Sequence, residues 1–180
     1  MSETTNIYFA KEGDLSVETL KSIRDFVNEA YEKGEEGMWK AGTSRTSVGE
    51  LKAKIESSQL VVAEQNKEIL GVILVHKTAS IQTAEFGMLA VKASCTKQGV
   101  GGQLINYAEQ WALSEGMTMM RLELLTPTDW KQSTKEFLKN WYRRLGYLPK
   151  RNTSFEKDFP HLAPLLKTAC VFTEWTKKLL

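Results

Sequence analysis

The segment Thr96–Leu104 has the composition of a phosphate-binding turn. It contains three glycines, at positions 99, 101 and 102, and an amphipathic helical pattern runs out of it. The glycines keep side chains off the first helical turn, and no usual capping residue stands directly before it. The first N–H groups are therefore free at the positive end of the helix dipole, where phosphate oxygens bind. The alternative is a tight strand-to-helix turn that needs glycine for its geometry alone.

Two familiar phosphate loops do not fit these residues. A P-loop needs Lys followed by Ser or Thr after its last glycine, and Gln103 and Leu104 stand there instead. A dinucleotide-binding fingerprint needs its third glycine or an alanine at the position of Leu104. The segment therefore predicts neither a P-loop nor a dinucleotide fingerprint.

The segment resembles the pyrophosphate loop of the GNAT superfamily of N-acetyltransferases, whose pattern is Q/R-x-x-G-x-G/A. Gly99 and Gly101 match that pattern, and Thr96 stands at its Gln/Arg position. Two further segments resemble the family in the expected order. Ala84–Val91 is similar to its central fourth strand, and Leu138–Tyr147 to its late helix with the ending L-Y-x-x-x-G-F. Together the matches cover the chain from about residue 60 to residue 150.

The resemblance implies a fold, an activity and a coenzyme site. The expected fold is a single α+β domain over residues 1–180, with a mixed, mostly antiparallel sheet of six to seven strands and about four helices. The expected enzyme moves the acetyl group of acetyl-CoA to a primary amine by direct transfer in a ternary complex, without a metal. The expected coenzyme contacts are Met88, Leu89, Ala90, Val91, Lys97, Gln98, Gly99, Val100, Gly101, Gly102 and Gln103.

Two catalytic side chains follow from the same resemblance. Tyr142 matches the family tyrosine near the coenzyme sulfur, which can protonate the departing thiolate; its alternative role is core packing. Glu85 lies in the strand that resembles the base-bearing strand of the superfamily's histone acetyltransferases. We expect it to take the proton of the acceptor ammonium, and an ion pair with Arg121 is its alternative. Glu123, predicted on the neighbouring strand, is the main competitor for the base, and His76 is the third candidate.

Apolar periodicity supplies the elements that must hold these groups. Strands are predicted at residues 60–64, 69–75 and 83–91, and the short polar turns between them indicate antiparallel pairing. A helix then runs from the glycine loop to about Gly116, and a strand follows at Met119–Leu125. A strand-helix-strand order of this kind predicts local parallel pairing.

Several local features refine these elements. Ser47 and Ser133 each precede a glutamate by three residues, so each is predicted to open a helix with a capping box. Trp39 lies in a glycine-rich segment that, in the family, borders the acceptor pocket; it could line that pocket or fill a surface gap. The two-residue period of a strand predicts that four side chains share one face: Ala84, Phe86, Met88 and Ala90.

Composition and charge are ordinary for a soluble globular protein. The chain has 180 residues, 42% of them hydrophobic and 26% charged, and its net charge of +2 gives no indication of nucleic-acid binding. Cys95 and Cys170 lie far apart without histidines at ligand spacing, which predicts neither a disulfide framework nor a zinc site. Without a signal-peptide pattern or a membrane-length apolar run, a cytoplasmic protein is expected.

The acceptor is not encoded in any motif. A small-molecule amine and a protein amino group both stay open, as do a longer acyl donor and a homodimer; no nucleic-acid or membrane partner is expected. Two other classes also stay open. One is an acyl-CoA-binding sensor or partner module without turnover, which Glu85 and Tyr142 argue against. The other is a nucleotide-binding protein that uses the glycine loop differently, which binding of ATP or NAD in place of CoA would reveal.

Overall fold

One mixed sheet forms the centre of the computed structural model, which describes residues 4–180. Its seven strands lie in the order β1-β2-β3-β4-β5-β7-β6, and among them β4–β5 is the parallel pair. The predicted α+β class, the hairpin pairing and the parallel unit are therefore confirmed. The strands are β1 Asn6–Phe9, β2 Leu60–Gln65, β3 Glu68–Lys77, β4 Thr83–Val91, β5 Met119–Pro127, β6 Leu148–Thr153 and β7 Cys170–Lys178.

Helices cover both faces of this sheet. One apolar core packs α3 and α4 against the sheet, with Leu104 and Tyr142 among its buried residues. A second core packs α1 and α2 on the opposite face, with Ile23 and Leu51 fully buried. The helices are α1 Val17–Gly34, α2 Val48–Glu56, α3 Val100–Ser114, α4 Ser133–Arg144 and α5 Phe155–Asp158, with short 3-10 turns at Ala93–Cys95 and Ala163–Leu165.

The helix caps agree with one of the two predicted capping boxes. At α2, the Ser47 hydroxyl accepts from the N–H of Glu50 at 3.1 Å and the Ser47 N–H donates to the Glu50 carboxylate at 2.8 Å. The box predicted at Ser133 is wrong. Gln132 is the cap, because its buried side-chain oxygen already accepts from the N–H of Lys135 at 2.9 Å. The glutamate that was to complete the box, Glu136, pairs with a lysine one turn later.

A β-bulge interrupts the predicted alternation of β4. Ala84 and Phe86 belong to the core under α3 and α4, whereas Met88 and Ala90 belong to the core under α1 and α2. The prediction that all four share one face is therefore wrong. Met88 has a φ of 45°, and the register with β3 shifts there, so one extra residue reverses the phase of every later side chain.

β4 and β5 separate soon after they pair. Their register covers Thr83–Glu85 against Met119–Arg121 and stops there. β5 continues to Pro127 against β7 on its other edge. The remainder of β4, from Phe86 to Val91, therefore presents an edge without a neighbouring strand on that side. A wedge-shaped gap opens between the two strands.

Three features of the described chain bear on its chemistry. No helix in residues 4–180 is both long and apolar enough to cross a membrane. Within the same residues, no cluster of three or more His, Cys, Asp or Glu is arranged to hold a metal ion. Cys95 and Cys170 are both free.

Candidate active site

A cavity of about 380 Å³ occupies the gap between β4 and β5. Its walls include residues 85–91 of β4 and 122–125 of β5, together with side chains from α1 and α4. Thr96 and Gly101 bring the glycine loop to the same cavity, and Trp39 brings the segment between α1 and α2. Trp39 thus lines the cavity, one of the two placements that the sequence allowed.

The glycine loop opens α3 without a side-chain cap, as predicted. Gly99 is the N-cap with a φ of 83°, a left-handed conformation that favours glycine. The N–H groups of Val100, Gly101 and Gly102 have no acceptor among the described residues. A Cβ at Gly99 or Gly102 would meet nothing within 4 Å. The turn therefore leaves several free N–H donors beside open space, as an anion site requires.

The other predicted loop contacts divide by burial. Lys97, Gln98 and Gln103 are solvent-exposed, and the Gln98 side chain donates to the carbonyl of Ser94 at 3.1 Å. Val100 is 3% exposed and packs in the core, so its side chain is not available to a ligand. A Cβ on Gly101 would lie 3.3 Å from the Trp141 ring, so the helix and the indole are in close contact there.

The predicted contacts on β4 lie at the bulge. Met88, Leu89, Ala90 and Val91 all line the cavity. The register with β3 pairs Ala90 and Val91 but passes over Met88 and Leu89. Met88 and Leu89 therefore lie outside the regular pairing with β3, and they border the cavity.

Tyr142 packs in the core, which is one of the two roles that the sequence allowed, and it also borders the cavity. Its ring packs with Phe86 and Tyr147, each with a centroid distance of 6.1 Å, and only 6% of its surface is exposed. The residue also lines the cavity, and its hydroxyl has no hydrogen bond to a described residue. Burial, with a smaller contribution from Tyr31, raises the pKa of Tyr142 above its ordinary value of 10. The phenol is therefore protonated at physiological pH.

Glu85 lines the cavity but is already paired. Its carboxylate accepts from the guanidinium of Arg121, the alternative that the sequence had raised. Arg121 also contacts Glu174, at 3.3 Å. His76 lies beside the pair, with its Nε2 4.0 Å from Glu85, and burial lowers the pKa of His76. His76 is not among the residues that line the cavity.

Glu123 has a different environment in the same cavity. Burial, followed by the negative charge of Glu85, raises the pKa of Glu123 from about 4.5 to about 6. The hydroxyl of Thr153 donates to its carboxylate at 3.3 Å. No Lys or Arg of residues 4–180 forms an ion pair with it. Glu123 is thus a carboxylate without a cationic partner, with a pKa that suits proton transfer near neutral pH.

A buried ion pair in the cavity wall was not predicted. The Nζ of Lys135 lies 2.5 Å from the Glu35 carboxylate, and both side chains are less than 10% exposed. The other carboxylate oxygen of Glu35 accepts from the indole N–H of Trp39 at 2.5 Å. The partners are 100 residues apart in sequence, so no local pattern could have shown that they meet.

Residues 56–149 match the model of the Acetyltransferase (GNAT) domain, which is more than half of the chain. The chain belongs to the GNAT family of acetyltransferases. Acetyl-CoA is the coenzyme of this family, as the resemblance implied. No curated protein matches the sequence.

Solved GNAT structures share the fold across nearly the whole chain. The chain is similar to an aminoglycoside 6'-N-acetyltransferase complexed with coenzyme A, at 15% identity, 97% coverage of each chain and a TM-score of 0.71. It is also similar to the PaiA N-acetyltransferase from Thermoplasma acidophilum, in complex with coenzyme A. There the identity is 17%, the coverage is 97% of this chain and 99% of the other, and the TM-score is 0.70.

The residues of this GNAT site fit its coenzyme. The free N–H groups of Val100, Gly101 and Gly102 suit a pyrophosphate, and the open space at Gly99 and Gly102 lets a phosphate approach the backbone. The unpaired edge of β4 suits the pantetheine amides, which can hydrogen-bond to it as an added strand does. The cavity between β4 and β5 then leads from this edge to Glu123 and Tyr142.

Proposed function

We propose that this GNAT enzyme is an N-acetyltransferase that acetylates a primary amine by direct transfer in a ternary complex. The observation that carries the proposal is the presence of Glu123 and Tyr142 in the cavity bordered by the open edge of β4. Glu123 can accept a proton near neutral pH, whereas Tyr142 keeps its proton at that pH. Deprotonation of an ammonium acceptor needs a base such as Glu123, and a thiolate leaving group needs a proton donor such as Tyr142.

Glu123 is the base in this proposal, directly or through one water. An amine is mostly an ammonium at neutral pH and becomes a nucleophile after losing a proton. The raised pKa of Glu123, about 6, makes it a stronger base than an ordinary carboxylate and still leaves it mostly ionised at pH 7. Glu85 is the second candidate, and its ion pair with Arg121 favours a supporting role, in which its charge raises the pKa of Glu123.

Tyr142 is the proton donor to the departing thiolate. Its hydroxyl is free of partners among the described residues, so it can turn to a sulfur in the cavity without losing a hydrogen bond. The raised pKa of Tyr142 exceeds that of an ordinary thiol, about 8.5. We therefore expect its hydrogen bond to stabilise the thiolate as it forms, with full proton transfer a later step.

Backbone groups supply the remaining parts. An N–H at the bulge, near Leu89 or Ala90, is proposed to donate to the oxygen that gains negative charge during transfer. The bulge and Val91 are proposed to hold the pantetheine, and residues 97–103 the pyrophosphate. Acetyl-CoA supplies an activated thioester; the chain orients it, excludes water and moves two protons.

A sensor without turnover is the second reading. It would need the coenzyme site but not the two proton-transfer groups. The raised pKa of Glu123 argues for the enzyme. Burying a carboxylate without a cationic partner destabilises the fold, and a protein that only binds the coenzyme would gain nothing from that carboxylate.

The test is an amine screen that follows release of free thiol from acetyl-CoA. Calorimetric titration with acetyl-CoA, and with ATP and NAD as controls, is done first on the same sample. We expect selective, saturable binding of acetyl-CoA and acetylation of at least one amine class, with mass spectrometry locating the new amide. Binding without turnover across the panel would support the sensor, and binding of ATP or NAD instead would overturn both readings.

A further inference from the structure

The charged side chains in the cavity wall can be sorted by their partners. Five line it: Glu35, Arg45, Glu85, Glu123 and Lys135. Glu35 and Lys135 form an ion pair with each other, and Glu85 pairs with Arg121. The described residues form no ion pair with Arg45 or Glu123. One cation and one carboxylate therefore border the cavity without internal neutralisation.

The backbone of Arg45 is held in place by hydrogen bonds to the side chain of Asn28. The Asn28 side chain on α1 accepts from the N–H groups of Arg45 and Thr46, both at 2.9 Å, and donates to the Thr46 carbonyl at 3.1 Å. The guanidinium then lies over the Tyr31 ring, 4.6 Å from its centroid. Such a cation–π contact fixes the side chain but leaves its donors without an anion. Arg45 is thus a positioned cation with capacity for a carboxylate.

The cavity also has a strongly apolar wall near Glu123. Leu125 lies two residues further along β5 and pairs with Phe172 on β7. The rings of Phe155, Phe159 and Phe172 pack on one another with centroid distances from 5.1 to 5.9 Å, and all three line the cavity. An apolar group of the acceptor would find a hydrophobic surface there, and an aromatic ring would also gain edge and face contacts.

We propose that the acceptor is a zwitterionic amine, an amino acid with an apolar and preferably aromatic side chain. Its ammonium would meet Glu123, its carboxylate would meet Arg45, and its side chain would contact the rings of Phe155, Phe159 and Phe172. This inference rests on the proposed N-acetyltransferase function. In the step itself, the amine nitrogen forms a bond to the acetyl carbon and the carbon–sulfur bond breaks. One ammonium proton passes to Glu123, which later releases it to solvent. The thiolate takes a proton from Tyr142, and the second proton lost by nitrogen reprotonates Tyr142, so both residues return to their starting states.

Polyamines are the competing acceptor class. A second cavity of about 220 Å³ shares Tyr31, Glu35, Trp39 and Arg45 with the first and also contains Glu32 and Glu36, which a second ammonium could use. Both glutamates are solvent-exposed, so their attraction for a cation is screened. Arg45 borders both cavities and would repel a second positive charge. The balance of charge therefore favours the amino acid.

The experiment compares four acceptors with the wild-type enzyme at saturating acetyl-CoA. Phenylalanine carries all three proposed groups, phenethylamine lacks the carboxylate, glycine lacks the ring, and spermidine adds cations. We expect kcat/KM for phenylalanine to exceed that for each of the others by about 10-fold or more, because each missing contact involves a charge-assisted bond or a buried ring.

Arg45→Met tests the residue, and Arg24→Met on α1 is the matched control. Arg24 pairs with Asp25 and does not line either cavity described above. Arg45→Met should raise KM for phenylalanine about 10- to 100-fold with a smaller change in kcat, and should change phenethylamine kinetics less than about 3-fold. Arg45→Lys should restore part of the loss, because it keeps the charge but not the two-pronged geometry. Arg24→Met should leave all four acceptors unchanged.

The possible failures can be told apart. If spermidine or phenethylamine is the best acceptor, the amino-acid inference is wrong and the N-acetyltransferase proposal stands. Loss of acetyl-CoA affinity in Arg45→Met, measured by calorimetry, would assign Arg45 to the coenzyme and also overturn the inference. If no amine is acetylated although acetyl-CoA binds, the proposed function itself fails. Should Arg45→Met not fold, the four-acceptor comparison and Arg45→Lys still decide the matter.

Discussion

Glu123 lies one strand away from Glu85, and the negative charge of Glu85 is the second-largest cause of the raised pKa of Glu123. The two carboxylates differ in their partners, since Arg121 forms its ion pair with Glu85 and not with Glu123. The paired carboxylate therefore tunes the unpaired one. The bulge on β4 and the early separation of β4 from β5 open the cavity that Glu123 borders, so a substrate there can contact a carboxylate with a raised pKa.

The pH dependence of kcat/KM should follow the pKa of Glu123. Below about pH 6 the base is protonated, so kcat/KM should rise with pH and level off above that value. Glu85→Gln removes the negative charge that raises this pKa, so the rising limb should move to lower pH. Glu68→Gln, an exposed glutamate paired with Lys92, is the control and should leave the limb in place. A limb that does not move in Glu85→Gln would contradict the coupling.

Glu123→Gln should lower kcat/KM about 10²- to 10⁴-fold, the usual contribution of a general base, and leave acetyl-CoA affinity unchanged.

The Glu123→Gln variant should also be more stable than the wild type at high pH. The folded-state pKa, about 6, lies above the unfolded value of about 4.5. The stabilisation from Glu123 is therefore complete below about pH 4.5 and is lost as the pH rises through 6. Thermal unfolding across this range should show a gain in Tm that grows with pH; a gain that shrinks would refute the raised pKa.

Two buried tyrosines provide a matched pair of Tyr→Phe variants. Tyr142→Phe should lower kcat about 10- to 100-fold with little change in stability or acetyl-CoA affinity, because its hydroxyl has no partner in the described protein. Tyr147 is also buried, but its hydroxyl donates to Glu109 at 2.7 Å. Tyr147→Phe should instead cost about 1 kcal/mol of folding free energy and leave kcat almost unchanged. Steady-state kinetics and urea unfolding separate the two; a large loss of coenzyme binding in Tyr142→Phe would sink the proton-donor assignment.

Features formed by residues that are close together in the sequence could be predicted, whereas contacts between residues far apart in the chain could not. The glycine loop, the strand before it and the Ser47 cap are local patterns, and the structure agrees with them. The bulge at Met88 was missed because a strand with one inserted residue has the same kind of amino-acid composition as a regular strand. The inserted residue nevertheless reverses the direction of every later side chain. The Glu35–Lys135 pair was missed because it depends on where α1 and α4 meet in the fold. Glu123 could be listed as a candidate, but its advantage over Glu85 appeared only with the position of Arg121.

The buried Glu35–Lys135 pair should be costly to break from one side. Lys135→Met leaves the Glu35 carboxylate buried with the indole N–H of Trp39 as its remaining partner, so we expect a loss of about 3–5 kcal/mol. The double variant Glu35→Gln with Lys135→Met should recover part of that loss, because no uncompensated charge remains. A double-mutant cycle by urea unfolding measures the coupling. The exposed pair Lys33–Glu29 is the control, and its coupling should be below about 1 kcal/mol. Equal coupling in the two pairs would contradict the burial argument.

Gly101→Asp tests whether the start of α3 holds the pyrophosphate. The new side chain would place a negative charge among the free N–H groups and would press on Trp141, since even a Cβ lies 3.3 Å from that ring. We expect acetyl-CoA affinity to fall at least about 10-fold, because like charges repel at the site where the helix dipole should attract an anion. Gly49→Asp makes the same change in the first turn of α2, where the nearest atom to a Cβ is 3.8 Å away, and should leave affinity intact.

Gly101→Ala adds the methyl group without the charge, so a loss of affinity shared by both variants at position 101 would reflect displacement of the Trp141 indole. Only a larger loss in Gly101→Asp supports anion binding by the loop, and undiminished affinity in a folded Gly101→Asp protein would remove the coenzyme from the start of α3.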